Sequence, residues 1–139
     1  MYDAVELEGP DMVFHLGDCI QDAEDLSSAF DTLDITYVPG NCDFYTTATP
    51  SLLREVCGTR IFLTHGHLFG VKTGLTRLLL EGKRLGAQLV LFGHTHRPLL
   101  EQRDGIWLLN PGSCSASSGS YAVVDLGAGG FECELREIR

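Results

Sequence analysis

The sequence predicts an α/β fold, and three features of its residue pattern support this class. In the first two thirds of the chain, short apolar runs typical of buried strands alternate with helical patterns. From residue 98 onward, strand patterns follow one another with turn signals between them. Polar side chains follow four of the earlier apolar runs, at the strand ends where open α/β sheets bind ligands.

The elements of the first part follow from hydrophobic periodicity and from glycine breaks. Residues 2–8 are predicted to be helical, without a capping residue before the first turn, and Gly9 ends this helix. Residues 21–33 and 75–85 carry apolar side chains at helical spacing, and Gly86 closes the second of these helices. Strands are predicted over residues 12–16, 35–38, 52–57 (an edge strand), 60–63 and 89–92.

The second part is predicted to be a meander of strands over residues 99–103, 106–109, 121–126 and 131–137. Turns are predicted at 104–105 and 127–130, and the serine-rich stretch 113–120 is predicted to be a loop. Together the two parts indicate two packed sheets flanked by helices. The length of 139 residues predicts a single domain over residues 1–139.

Composition and charge narrow the classes of function. The formal net charge of -9 argues against a protein that holds long nucleic acids by its general field. A small phosphate substrate remains compatible with this negative net charge, because bound divalent ions can reverse the charge of a site. No run of 18 apolar residues supports a membrane span. Five cysteines without Cys-x-x-Cys spacing predict free thiols and a cytoplasmic protein.

The stretch Gly93-His94-Thr95-His96 is the strongest pointer to chemistry in the chain. Two imidazoles, common metal ligands, follow the apolar run 88–92. A His-x-His pair alone is also compatible with two polar loop residues. Further potential oxygen or nitrogen ligands follow the earlier apolar runs, at Asp18, Asn41, Asp43, His65 and His67.

This ordered set (Gly-Asp, Gly-Asn-x-Asp, His-Gly-His and Gly-His-Thr-His) resembles the calcineurin-like metallophosphoesterase superfamily. Within it, the chain resembles the small YfcE-type phosphodiesterases and the small scaffold subunit of retromer. The resemblance covers residues 12–113 by motif, and it implies a four-layer α-β-β-α sandwich. The family's first motif, Asp-x-His at the end of the first strand, is absent. We therefore expect the sandwich to lack that strand, as in an N-terminally truncated domain.

The resemblance also implies a set of metal ligands. Asp18 would bridge two metals, Asn41, His65 and His94 would complete the second metal site, and His96 would bind the first metal. The residues alone leave alternatives open. Asp18 could instead cap the helix that begins near residue 21, and Asn41 could be a simple turn residue.

Three further residues are expected to act around the ligands: Cys42, Asp43 and His67. Asp43 is expected to orient a histidine or a water. Cys42 stands where many superfamily members carry a histidine that is thought to protonate the leaving group, and a thiol is a poorer acid partner near neutral pH. His67 is expected to lie around the ligands or to contact substrate, and a polar loop role is the open alternative. His15, inside a predicted strand, is interpreted as a core histidine.

The function predicted on this basis is hydrolysis of small phosphodiesters at a two-metal centre, with Mn or alternatively Ni, Fe or Zn. Without Asp-x-His, the first metal would keep only Asp18 and His96, so one ion should bind well and turnover should be slow. The alternative function is a non-catalytic scaffold or protein-interaction module. A structural zinc domain is a weaker alternative, because such sites are usually rich in cysteine. The expected partners exclude long nucleic acids and membranes, and an open sheet edge would favour homo-oligomers.

Overall fold

The structure, a computed structural model, describes residues 1–44, 46–114 and 118–138. Within these ranges, no helix is long and apolar enough to cross a membrane. The helices are α1 (Tyr2–Glu8), α2 (Ile20–Ala29) and α3 (Thr76–Arg84), with a 3₁₀ turn at His67–Phe69. The strands are β1 (Met12–His15), β2 (Asp34–Tyr37), β3 (Ser51–Val56), β4 (Thr59–Thr64), β5 (Leu89–Leu91), β6 (Leu99–Arg103), β7 (Ile106–Asn110), β8 (Ser120–Gly127) and β9 (Gly130–Glu137).

A five-stranded mixed sheet in the order β3-β4-β5-β7-β6 forms the centre of the fold. Strands β4, β5 and β7 run parallel to one another, and β3 and β6 pair antiparallel at the two edges. The three central strands are buried at nearly every position and carry continuous apolar runs, which is typical of parallel strands that are covered on both faces. The edge position predicted for residues 52–57 is confirmed.

The two faces of this sheet pack against different layers, because successive side chains of a strand point to opposite sides. Phe62 and Val90 lie on one face and pack with Leu78 of α3. Leu63 and Leu91 lie on the other face, and the side chains packed against that face come from β1, β8 and β9, including Phe14, Ala122, Val124 and Phe131.

The second layer consists of two strand pairs, β1-β2 (parallel) and β8-β9 (antiparallel). Helix α2 connects β1 to β2 and packs on β2, burying Ala23 and Leu26. Glu8 of α1 accepts a hydrogen bond of 2.6 Å from the Tyr121 hydroxyl and pairs with Arg136, on the side of β8-β9 that faces away from the central sheet. The layers therefore follow the α-β-β-α order, as expected.

Two details differ from the sequence prediction. The second layer is not one continuous sheet, since no hydrogen-bonded strand joins the two pairs among the described residues. Helix α2 ends at Ala29 rather than at residue 33, because Phe30 leaves the helical region at φ -128° and leads the chain into β2. Of the predicted loop 113–120, residues 115–117 lie outside the described residues.

Candidate metal centre

Two glycines bring the turns after β1 and β2 into backbone contact. A Cβ atom on Gly17 would lie 2.6 Å from the backbone nitrogen of Gly40, and one on Gly40 would lie 2.2 Å from Oδ1 of Asp18. Gly17 also has φ +100°, a conformation that L side chains rarely adopt. This close approach places the carboxylate of Asp18 over the second turn, where its Oδ1 accepts a 3.0 Å hydrogen bond from the Cys42 N–H.

Asp43 ties the same two turns together. Its Oδ1 accepts the N–H of Ile20 at 3.0 Å, and its Oδ2 accepts the N–H of Gly40 at 2.8 Å. Burial alone would raise the pKa of Asp43, but these backbone donors outweigh it and hold the pKa below its usual value. Asp43 therefore orients backbone rather than a histidine. Through Ile20, Asp43 also binds the first N–H of α2. The N-cap residue of this helix is Cys19, and no side-chain capping bond is present there within the described chain. The capping alternative for Asp18 is therefore not observed.

His65 directly follows β4, and its ring orientation is fixed by the backbone. Its Nδ1 lies 2.7 Å from the carbonyl oxygen of Leu16, so Nδ1 carries the proton and donates it to that oxygen. The Nε2 lone pair then points the other way, into the site. The side chain is only 2% exposed, and this burial is the main reason that its pKa is lowered. The His65 imidazole is consequently neutral at neutral pH, the form in which a histidine can bind a metal.

His94 lies in a turn that Asn110 holds in place. The Nδ2 atom of Asn110 donates to the Gly93 carbonyl oxygen and to the Thr95 hydroxyl, both at 3.0 Å, and its Oδ1 accepts the Gly112 N–H at 2.9 Å. His94 itself has φ +68°, so the turn needs such support. Its pKa is lowered by burial first, and the neighbouring His65 and Lys72 lower it further.

The predicted ligand atoms converge on Nε2 of His65. That atom lies 3.1 Å from Oδ1 of Asn41, 3.1 Å from Nδ1 of His94 and 3.4 Å from Oδ2 of Asp18. If Nδ1 of His94 carried a proton, that proton could make a hydrogen bond across only one of these three contacts. A cation placed among the four atoms could bind all of them. Ligands about 2.0–2.2 Å from an ion lie about 3.0–3.5 Å apart at octahedral to tetrahedral angles, so the spacing fits one divalent metal.

The remaining predicted site residues lie around this cluster. His96 is exposed, with φ +57°, and lies outside the grouping of potential ligands formed by Asp18, His65 and His94. The His67 ring centroid lies 5.3 Å from that of His65 and 6.2 Å from that of His94, and its buried Nδ1 has no hydrogen-bond partner among the described residues. Cys42 is exposed, and the negative charge of Asp18 is the main cause of its raised pKa.

Sequence reasoning missed two parts of the site and oversimplified a third. It assigned no role to the Leu16 carbonyl, which fixes the tautomer of His65. It assigned no role to Asn110, whose side chain holds the His94 turn. The signal for Asn110 was a polar side chain directly after the predicted strand 106–109. His15 is half-buried, and its Nδ1 accepts the Gly17 N–H at 3.3 Å, so it supports the first turn.

Comparison with known proteins identifies the family. The model of the calcineurin-like phosphoesterase superfamily domain matches residues 1–129. Probable metallophosphoesterase YsnB of Bacillus subtilis is 33% identical over 121 residues, which cover 84% of this chain and 69% of that protein. Phosphodiesterase YfcE of Escherichia coli K12 is 43% identical over 70 residues, covering 48% of this chain and 34% of that protein. The chain spans 69%, 55% and 60% of the length of three curated relatives that it matches.

Solved structures share the fold over nearly the whole chain. A predicted phosphoesterase of Streptococcus pneumoniae TIGR4 superposes with a TM-score of 0.74 at 26% identity, covering 96% of this chain and 88% of that one. Vps29 of Entamoeba histolytica, complexed with Zn²⁺, superposes with a TM-score of 0.79 at 18% identity, covering 98% of this chain and 87% of that one. The second likeness shows the fold alone. The family match over residues 1–129, together with the similarity to YsnB, establishes that the chain belongs to the calcineurin-like phosphoesterase superfamily.

Proposed function

We propose that this chain is a metal-dependent phosphodiesterase that hydrolyses small phosphodiesters. The observation that carries the proposal is the convergence of Asp18, Asn41 and His94 on Nε2 of His65. Two oxygen and two nitrogen ligands suit hard or borderline divalent ions. Membership of the phosphoesterase superfamily, and the name of the relative YfcE, support phosphodiester hydrolysis as the reaction.

The four converging side chains would hold one ion, for which Mn²⁺ is our first candidate and Ni²⁺, Fe²⁺ and Zn²⁺ are the alternatives. A bound divalent ion supplies Lewis-acid chemistry for phosphoester hydrolysis. A second ion would share Asp18 and use His96, and two protein ligands should hold it weakly. We therefore propose one tightly bound ion per chain, a second ion that binds only at high concentration, and slow turnover.

The chain's own residues would position the substrate and handle protons. His67 places a ring beside both ligand histidines, and its buried Nδ1 lacks a partner within the described chain, so it is suited to bind a phosphate oxygen or to donate a proton. The negative charge of Asp18 raises the pKa of the Cys42 thiol, and a thiol is a poorer acid partner than an imidazole near neutral pH. His67 is therefore our candidate for proton donation to the leaving group.

The test is hydrolysis of bis(p-nitrophenyl) phosphate with Mn²⁺ or Ni²⁺. We expect turnover that requires metal and that falls at least about 100-fold in Asp18→Asn, because that change removes a charged ligand. Asp104→Asn is the matched control, since Asp104 is an exposed carboxylate of the β6–β7 turn that pairs with Lys83. Tight metal binding without hydrolysis would contradict the proposal.

The second candidate function is a scaffold, and one observation favours it. Phe44 is 75% exposed and Leu68 is 50% exposed, and each directly follows a residue of the site, Asp43 and His67 respectively. Exposed apolar side chains at a functional rim are typical of protein contacts. This candidate predicts metal binding with no hydrolysis, together with slower binding of the protein partner in Phe44→Ser.

The proposed setting follows from charge and from the cysteines. A net charge of -9 favours a small diester over a long nucleic acid as the substrate. All five cysteines are free thiols in the structure, which fits the reducing cytoplasm. Self-association through open strand edges is a further proposal, which sedimentation equilibrium would test.

A further inference from the structure

An open cavity of about 640 Å³ lies beside the candidate metal centre. Val71, Leu75 and Phe92 contribute apolar side chains to its lining, and Lys72, Thr95 and Arg97 contribute polar ones. The volume is within the range of about 300–1,000 Å³ that is usual for small-molecule sites. Apolar walls with a few polar groups are also typical of such sites.

Three features of the chain place the cavity next to the candidate metal ligands. Thr95 lies between His94 and His96 in the chain, and its hydroxyl is held by Asn110. Val71 packs behind the loop that follows β4, since a Cβ atom on Gly66 would lie 2.9 Å from its Cγ2. Lys72 directly follows Val71 and also lines the cavity. A molecule bound at the metal centre would therefore be adjacent to this cavity.

Lys72 and Arg97 are free to bind an anion. Among the described residues, the other cationic side chains either pair with carboxylates or donate to backbone carbonyl oxygens. Those that do so are Arg54, Arg60, Arg77, Lys83, Arg84, Arg103 and Arg136. No carboxylate from the described part of the chain lines the cavity. In a chain with 19 acidic and 10 basic residues, these two cations beside one cavity form a local positive site.

We propose that this cavity is a substrate subsite for the second ester group of the phosphodiester, and that it selects a group with an anion on an apolar or aromatic stem. The stem would lie against Leu75, Pro98 and Leu99, and the anion, a carboxylate or a phosphate, would lie between Lys72 and Arg97. The inference deepens the proposed phosphodiesterase function and rests on it. It assigns substrate selectivity to residues that are not metal ligands.

The kinetic test uses a matched pair of substrates. Both are p-nitrophenyl diesters, one with a phenyl and one with a 4-carboxyphenyl second group, so the leaving group is the same. We expect kcat/KM of the wild-type protein with Mn²⁺ to be about tenfold higher for the carboxylated diester than for the phenyl diester. In Lys72→Gln/Arg97→Gln, the two values should become equal. Lys83→Gln/Arg103→Gln is the control, because it removes the same charge elsewhere and should keep the ratio.

A binding test separates the subsite from catalysis. Calorimetry compares the affinities of diphenyl phosphate and bis(4-carboxyphenyl) phosphate, which lack the activated leaving group, for the Mn²⁺-loaded protein. We expect the carboxylated ligand to bind about tenfold more tightly, and the preference to vanish in Lys72→Gln/Arg97→Gln. If the protein keeps this binding preference but hydrolyses neither diester, the phosphodiesterase function is overturned and the subsite stands. An equal affinity of the two ligands in wild type, or an unchanged preference in the double variant, would overturn the subsite.

Discussion

Nδ1 of His65 donates its proton to the carbonyl oxygen of Leu16 at 2.7 Å, and this contact joins the ends of β4 and β1. Because the proton is committed to that oxygen, the opposite nitrogen faces Asn41, His94 and Asp18 with a lone pair. A backbone carbonyl that fixes the tautomer of a ligand histidine is common around metals. The relationship thus makes His65 the central ligand of the candidate site.

Replacing His65 should remove most of the metal affinity. In His65→Ala the remaining three ligands lose the atom on which they converge, and we expect the affinity for Mn²⁺ to fall at least about 100-fold. Titration calorimetry measures this directly. His15→Asn is the control, because asparagine keeps an acceptor for the Gly17 N–H and should change the affinity only slightly. Equal losses in both variants would argue that general unfolding, not ligation, causes the effect.

Adding one methyl group at Gly40 should disturb the site. The new Cβ atom would lie 2.2 Å from Oδ1 of Asp18, so the carboxylate or the turn must move. We expect Gly40→Ala to destabilise the protein by about 1–3 kcal/mol and to weaken Mn²⁺ binding. Gly129→Ala, where no atom of the described residues lies within 4 Å, is the matched control and should bind Mn²⁺ as wild type does. Urea unfolding and calorimetry supply the two readouts, and wild-type affinity in Gly40→Ala would contradict the steric account.

Loss of the Asn110 side chain should loosen the His94 turn. The change to alanine leaves the Gly93 carbonyl and the Gly112 N–H without their buried partner, which costs about 2–4 kcal/mol of unfolding free energy. Urea denaturation measures the loss, and weaker Mn²⁺ binding should accompany it. Thr95→Ser keeps the hydroxyl that Asn110 contacts and should stay close to wild type in stability. Unchanged stability in Asn110→Ala would show that the side chain of Asn110 does not stabilise the His94 turn.

Asp43 should make the protein sensitive to acid. Its pKa is lower in the folded chain than in the unfolded one, so the unfolded chain binds more protons as the pH falls below about 4. The stability that Asp43 contributes is therefore present above its unfolded pKa and is lost as the pH falls through the folded pKa. In Asp43→Asn the free energy of unfolding should be lower near pH 6 and should fall less steeply with acid. Parallel slopes for the two proteins between pH 3 and 6 would contradict this role.

The residue pattern predicted polar side chains at the ends of successive strands, and parallel strands bring such ends to one edge of a sheet. The grouping of Asp18, Asn41, His65 and His94 came from the family resemblance, and in the structure these four side chains lie together. The order of the layers followed from the motifs and the alternation of elements. The metal count and the role of His96 remain predictions.

The parts that sequence reasoning missed depend on contacts between distant backbone and side-chain atoms. The Leu16 carbonyl and His65 are 49 residues apart, and Asn110 lies 17 residues from Gly93. No local pattern encodes such pairs, because they depend on how the turns are placed relative to one another. The backbone bonds of Asp43 were not foreseen for the same reason, since its partner Ile20 lies 23 residues away on another element. The end of α2 also depends on tertiary packing of Phe30 near Tyr2.

Whether the four converging side chains form a catalytic metal centre is tested by measuring bound Mn²⁺ and hydrolysis of bis(p-nitrophenyl) phosphate in the same samples across a metal titration. We expect the rate to rise with occupancy of the first ion, about one per chain, and Asp18→Asn to lose the bound metal and the activity together. Hydrolysis that continues after metal removal, or full occupancy without any hydrolysis, would contradict this expectation.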